Sequence, residues 1–351
     1  MKILVTGGTG LVGCHATAAL LGAGHQVRLF VRDPGKVDRA LSPLGWSCAD
    51  VEIAQGDLAG DVSAGGNGGV PPGRAAVQDS LEGCEGLLHC AGLFSPSLED
   101  EARVKQINVE GTRNALGAGA ESGVARMVHV SSMLALFPPR GAEMKATDEV
   151  AQPRSMYAQT KASAERIARA LQESAPLTII YPAAVHGPND PTFSIGPQLV
   201  AQALGAKKAL VTEGGLAYTD VRDLAQVICA LFDGAEHSDR LMAPSFFVTH
   251  ERYRMLLELV TGHEIGAQKM PGFLLRGLGR MGDLAQKFGR AAELNYEAAE
   301  VLTRSVPLDD RESVALLGRP KRSDEESFRD LVRWMVSAGH VSAERAGSAA
   351  E

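Results

Sequence analysis

No stretch of the 351 residues approaches the roughly 20 consecutive apolar positions that a membrane-crossing helix needs, so a transmembrane protein is not expected. Positive charge is not in excess. The 35 Lys and Arg stand against 42 Asp and Glu, a formal charge of −7, which argues against a general nucleic-acid footprint. The five cysteines, at 14, 48, 84, 90 and 229, form no metal-type pair and leave one over in any full disulfide scheme. Reduced thiols and no metal centre are therefore expected. Met1 runs directly into an apolar segment, leaving no room for a signal peptide, and the expected location is cytoplasmic. What the chain does have is 45% apolar residues, enough for a full core in one main domain carrying a smaller lobe.

Lys2-Ile3-Leu4-Val5 reads as a strand, and Leu11 to Leu21 continues with helical spacing of apolar residues. Between them lies Thr6-Gly7-Gly8-Thr9-Gly10-Leu11-Val12-Gly13. Gly7 permits the tight turn, Gly10 lets the backbone approach a pyrophosphate, and Gly13 lets the helix pack closely, with the free N–H groups of the helix start facing the anion. The spacing is Gly-x-x-Gly-x-x-Gly, and its place between strand and helix gives it weight.

About halfway along the chain stands Tyr157-Ala-Gln-Thr-Lys161, in a segment from Arg154 to Leu171 rich in helix formers. Residues four apart share a helix face, so the phenol and the ammonium are neighbours there. The cation should draw the Tyr157 pKa down towards working pH. Such a phenol passes a proton to or from an alkoxide. Upstream, Val128-His129-Val130-Ser131-Ser132 reads as a strand ending in two hydroxyls that could hold a carbonyl oxygen.

Several pieces now stand in one order: the glycine loop, Gly56-Asp57-Leu58, His89-Cys90-Ala91-Gly92, Asn108 to Thr112, Val130-Ser131-Ser132, Tyr157 to Lys161, Tyr181 to Pro188 and Asp220 to Ala225. From Met1 to about Gly339 the chain resembles the extended branch of the short-chain dehydrogenase/reductase superfamily, of the NAD-dependent epimerase/dehydratase type. The resemblance implies Tyr157 as general acid/base, Lys161 as its modulator and ribose ligand, Ser132 on the substrate oxygen, and Asn108 at a helix kink with a proton relay. It further implies that Gly7, Thr9, Gly10, Leu11, Val12 and Gly13 cradle the cofactor. Asp57 and Leu58 would flank its adenine, Ala91 and Gly92 its centre, and Pro182 and Val185 its nicotinamide. Val31-Arg32-Asp33-Pro34 with Lys36 is similar in flavour to dihydroflavonol reductase-like and hydroxysteroid dehydrogenase-like enzymes, as is the pattern around Trp334. Tyr181 and His186 depart from the arginine and tyrosine usual at those places.

Arg32 and Lys36 at the end of the second strand favour NADP(H), because a carboxylate there would suit NAD and an arginine suits the extra phosphate; NAD(H) is the alternative. The expected activity is hydride exchange with a ketone or secondary alcohol of a hydrophobic small molecule. The rivals are an NAD-retaining nucleotide-sugar epimerase or dehydratase, and a non-catalytic NADP(H)-sensing regulator. A largely apolar pocket is expected from Leu93 to Ser97, Met133 to Phe137, His186 to Phe193 and Phe273 to Phe288, with Leu93, Met133 and His186 as substrate contacts. The alternatives are that these apolar stretches are core of the lobe and that His186 is a structural hydrogen bonder, the commoner role of a lone histidine.

A doubly wound parallel sheet is expected, with strands near 2–6, 26–31, 51–55, 85–89, 126–131 and 177–181 and a helix from Glu101 to Glu121. Residues 1–187 are expected to form mainly the cofactor domain and 188–340 mainly the substrate lobe, with 209–233 returning to the cofactor domain. Residues 59–75 read as a Gly- and Pro-rich surface insertion and 341–351 as a frayed tail. Lys269 to Met281 mixes apolar and basic residues. A helix packed on the lobe or over the pocket is expected there rather than a membrane-surface helix. Dimerisation through the helices around 101–121 and 154–171 is implied by the resemblance alone.

Overall fold

The computed structural model describes residues 1–60, 72–95, 98–288 and 294–350. Six strands fall on the apolar runs: β1 (Lys2–Thr6), β2 (Gln26–Val31), β3 (Glu52–Gln55), β4 (Gly86–His89), β5 (Arg126–Val130) and β6 (Leu177–Tyr181). After them come β7 (Ala184–His186), β8 (Lys208–Val211), β9 (Gly215–Asp220), β10 (Arg240–Met242), β11 (Phe246–Thr249) and β12 (Gly266–Lys269). The main sheet runs β3-β2-β1-β4-β5-β6-β10, parallel throughout.

Alternation along β1 decides how this sheet is covered. Ile3 and Val5 face a layer that includes Leu20, Leu224, Val227 and Phe232, from the helices Leu11–Gly22 and Val221–Asp233. Leu4 faces the opposite layer with Leu116 and Ala168, from the helices Gly111–Glu121 and Met156–Gln172. Both faces are dry over β1, β4, β5 and β6, which is why these strands read as nearly unbroken apolar runs, whereas the edge strand β3 is largely exposed. The order reverses at β1, whose neighbours are β2 and β4, so the crevice at the carboxyl ends of β1 and β4 is the topological switch point.

Of the expected return at 209–233, the helix Val221–Asp233 packs on the main sheet and the strands before it do not join it. β8 pairs with β12, and β9 lies between β7 and β11, in two small separate sheets. The chain rejoins the central layers only with the helix Val221–Asp233 and stays to add β10 beside β6. β10 is three residues long, too short for a periodic signal. Of the expected insertion at 59–75, residues 61–71 lie outside the described residues, while 72–75 begin the helix Pro72–Ser80.

A third cluster packs Leu256, Leu257 and Val260 against Phe328, Leu331 and Met335. The tail joins it, contrary to the expected fraying. Ala346 and Ala349 are fully buried, Ser348 Oγ donates to Val260 O at 3.1 Å, and His263 Nε2 lies 2.7 Å from Glu344 O. Small residues suggested a loose end, yet their size is what lets the backbone dock this closely. Ending the chain after His340 should expose this seat and cost about 2–4 kcal/mol by lost apolar burial. Thermal unfolding would read this as a Tm lower by several degrees; an unchanged Tm would mean the docking contributes nothing.

Candidate active site

The first turn is held shut by backbone contact. Gly7 sits at φ +74°, and a Cβ there would meet Ala91 N at 2.6 Å, so β1 and the strand exit at Ala91 press together. A Cβ on Gly13 would stand 2.2 Å from Gly7 O, so the helix Leu11–Gly22 seats directly on the turn. Gly10 differs: its Cβ would meet only Gly7 O, at 3.5 Å, and would otherwise fill open space before the helix start. No side chain caps that helix, which leaves its first N–H groups for an anion. Thr9, Gly10, Leu11 and Val12 are half-buried around it. Asp57 is exposed, its Oδ1 taking Ala59 N at 3.0 Å, and the Leu58 carbonyl accepts from Asn114 Nδ2 at 2.8 Å.

Two elements bring the reactive groups to the switch point. The Glu101–Glu121 helix forms, but Gln106–Glu110 takes the wider π winding, with buried Asn108 at its middle. Asn108 Oδ1 accepts from Leu93 N at 2.7 Å. Its Nδ2 donates to Leu93 O at 2.9 Å and to Thr160 Oγ1 at 3.0 Å. Thr160 in turn donates to Tyr157 O at 2.6 Å. Asn108 thus fixes both the strand exit and the helix carrying Tyr157 and Lys161. A Cβ on Gly92 would lie 3.6 Å from Asn108 Oδ1 and 4.0 Å from Lys161 Nζ, so Ala91 and Gly92 run between the glycine turn and the ammonium.

The two serines have different work. Ser131 Oγ donates to buried Glu165 Oε2 at 2.6 Å, which uses its proton. Ser132 Oγ only accepts, from Leu134 N at 3.2 Å, so its own O–H remains available. The Tyr157 hydroxyl and the Lys161 ammonium likewise make no hydrogen bond among the described residues, and Phe94 stands edge-on to the Tyr157 ring at 4.8 Å.

The electrostatics correct one expectation. Burial pushes the Tyr157 phenol up to about 12, so in this site desolvation outweighs the expected pull of Lys161. Burial also lowers Lys161 to about 8, opposed by the negative charge of Glu165 one turn on. Tyr157 is held as the acid and Lys161 remains largely a cation at neutral pH. Beneath them His89, between Thr6 Oγ1 at 2.7 Å and Thr112 Oγ1 at 3.0 Å, stacks on His129 at 5.2 Å. Burial first, and the Lys161 charge with it, keep both rings neutral.

The model of the NAD dependent epimerase/dehydratase family matches residues 3–241. The chain belongs to this family. It is 31% identical to sterol demethylase protein B of Methylococcus capsulatus over 97% of its own length and all of that protein's. A putative dihydroflavonol 4-reductase of Synechocystis is 25% identical, over 96% of this chain and 95% of the relative. The crystal structure of a dTDP-glucose 4,6-dehydratase from Streptomyces venezuelae, with NAD bound, shares the fold at a TM-score of 0.71 and 18% identity, covering 98% of this chain and all of that one. This family member is therefore an NAD(P)-dependent oxidoreductase of the extended short-chain dehydrogenase/reductase type. No described helix is long and apolar enough to cross a membrane.

Several expected pocket residues lie elsewhere. His186 is buried against Tyr218, Phe246 and Phe328, with Nε2 3.0 Å from Ser327 Oγ, which donates to Asp220 at 2.6 Å. Its ring serves the junction with the helix Asp324–Ser337, not a substrate. Met133 is buried in the core with Leu136 and Phe137, so the stretch 133–137 contributes core there. Leu93, half-buried, remains beside the site through its backbone bonds to Asn108. Pro182 is buried, its carbonyl taking Met133 N at 3.0 Å, and Val185 is half-buried in β7. Residues 96–97 lie outside the described residues.

Sequence reasoning missed Glu165 and Glu297. Glu165 accepts from Ser131, from Tyr181 Oη at 2.5 Å and from Arg169 Nε at 2.7 Å. Tyr181, singled out as a departure near the pocket, is thus fully buried in this network. Glu297 receives Arg154 N at 2.6 Å, Ser155 N at 2.7 Å and the Ser155 hydroxyl at the start of the catalytic helix. The signal for Glu165 was its place four residues after Lys161; Glu297, 142 residues from Ser155, left none. Glu165→Ala should strand two buried hydroxyls and a guanidinium at a cost of about 3–5 kcal/mol. The urea midpoint should fall accordingly, and a loss below about 1 kcal/mol would contradict the network's importance.

Proposed function

We propose that this family member is an NADP(H)-dependent reductase interconverting a ketone and a secondary alcohol on a hydrophobic small molecule. One observation carries the reading: among the described residues Ser132 O–H, Tyr157 O–H and Lys161 Nζ are uncommitted, while Ser131, Asn108 and Thr160, which position them, are already bonded. When bound, the nicotinamide supplies or accepts the hydride. Ser132 and Tyr157 donate to the substrate oxygen. In reduction the Tyr157 proton passes to the forming alkoxide, and the Lys161 cation stabilises the phenolate left behind. The open space at Gly10 and the uncapped helix start suit a pyrophosphate, with Ala91, Gly92 and Lys161 along the path towards the ribose.

NADP(H) preference rests on Arg32. Its exposed side chain has no hydrogen bond or ion pair among the described residues, whereas Asp33 caps Gly35 N and lies 3.6 Å from Lys36. An uncommitted guanidinium at the end of β2 favours a phosphate partner. Lys36, already near a carboxylate, is the lesser contributor. The apolar substrate is supported by half-exposed Phe94 against Tyr157, and the names of the sterol and flavonol relatives point the same way.

Tyr157→Phe should lower kcat about 10²- to 10⁴-fold while a fluorescence titration shows NADPH affinity nearly unchanged. Retained turnover would assign the proton to another group. Arg32→Ala should weaken NADPH about tenfold or more and leave NADH affinity alone, because only NADPH carries the contacted phosphate. Equal loss for both cofactors would refute the preference. Protein purified without nucleotide and then denatured distinguishes the rivals: stoichiometric NAD released would mark an epimerase or dehydratase, and NADPH binding without turnover of any ketone a sensor.

A further inference from the structure

The helix Gly272–Lys287 is turned inside out for a protein in water. Its inward face is built of Gly272, Leu275, Gly279 and polar groups: Arg276 Nη1 donates to Thr303 Oγ1 at 2.8 Å, and Asp283 Oδ1 accepts Tyr296 N at 3.1 Å. A Cβ on Gly279 would meet Asn295 O at 2.7 Å, so glycine is what lets the neighbouring helix Tyr296–Arg304 close here. The outward face carries Phe273, Leu274, Leu278, Met281, Leu284 and Phe288, each between 47% and 78% exposed. The helix expected to pack its apolar side inward does the reverse.

We infer that this outward apolar face is a docking surface for an anionic lipid bilayer. Six large apolar side chains on successive turns form a patch of the kind that marks an interaction surface, not scattered exposure. The charge around it fits a negative surface: between 269 and 286 stand the cations Lys269, Arg276 and Arg280 against the acid Asp283, with Glu213 turned onto the helix start at Gly272 N, in a chain of net charge −7. An apolar stripe flanked by Lys and Arg is the pattern of helices that lie in a headgroup layer. The stripe runs about 22 Å along the helix axis, more than one small substrate would cover. A second copy placed on it face to face would bring two sets of cations together. The position joins it to the chemistry, since both Arg280 and Arg154 lie over the Tyr296 ring, at 4.9 and 5.1 Å, and Arg154 leads into the helix of Tyr157.

Co-sedimentation of the full chain with vesicles tests this without any turnover assay, so it fails or succeeds independently of the proposed reductase activity. Vesicles of phosphatidylcholine with about one third phosphatidylglycerol should bind the protein at least about tenfold more strongly than phosphatidylcholine alone. Binding should weaken at about 0.5 M NaCl. The double variant Leu278→Glu, Met281→Glu should lose this binding while titrating NADPH as the wild type does, which shows that it is folded. Wild type that stays in the supernatant with both lipids overturns the inference, as does a double variant that pellets equally. So does a wild-type dimer, seen by light scattering, that the same variant dissolves in the absence of lipid binding.

Discussion

A carboxylate sealed from solvent organises the centre of this molecule. Glu165 takes hydrogen bonds from the end of β5 through Ser131, from β6 through Tyr181 and from its own helix through Arg169. An isolated buried carboxylate would be costly, and three donors, one of them cationic, offset that cost only while all stay in place. The register of the catalytic helix against the sheet is fixed by this requirement. The same charge has a chemical effect one turn back. Burial alone would drive the Lys161 ammonium towards neutrality, and Glu165 opposes it, so a cation persists where a phenolate will need it.

Commitment of hydroxyls follows from the same network. Two adjacent serines follow β5, and the alternation of extended backbone sends them to opposite sides. Ser131 points into the layer holding Glu165 and is used for structure, which leaves Ser132 to cap a short turn with its oxygen while keeping its proton. A similar division holds for Asn108, whose amide is saturated by Leu93 and Thr160. In this arrangement Asn108 positions the site by rigid bonding, and the π winding around it is what turns the side chain towards the strand exit.

How much of this was legible in the sequence follows from how local each cause is. β1, β4, β5 and β6 were readable because strands buried on both faces are nearly unbroken apolar runs. The glycine turn and the Tyr157–Lys161 face were readable because their geometry is set within eight residues or fewer. Tyr181 was misplaced because it is satisfied across the sheet by Glu165, and which of its two open roles His186 takes was not legible because its partner Ser327 lies 141 residues on. The tail was misjudged because Ala346 and Ala349 carry no periodic signal, although small side chains dock a backbone closely. The helix Gly272–Lys287 was found but its direction was not: amphipathicity reports two faces, and only the neighbouring helix decides which one turns inward.

The least local element has the largest mechanical consequence. The catalytic helix begins after Ser155, whose hydroxyl caps Ala158 N, and the N–H groups of Arg154 and Ser155 donate to Glu297, which lies 142 residues on from Ser155. A carboxylate at a helix N-terminus is favoured both by those N–H groups and by the helix dipole, so the contact is strong in one geometry and lost quickly with displacement. Tyr157 follows two residues later. Any shift of the helix Tyr296–Arg304 is therefore passed directly to the start of the helix that carries the acid. Gly272–Lys287 packs on that same helix through Asp283 and Arg276, so one carboxylate, Glu297, separates its support from the start of the catalytic helix.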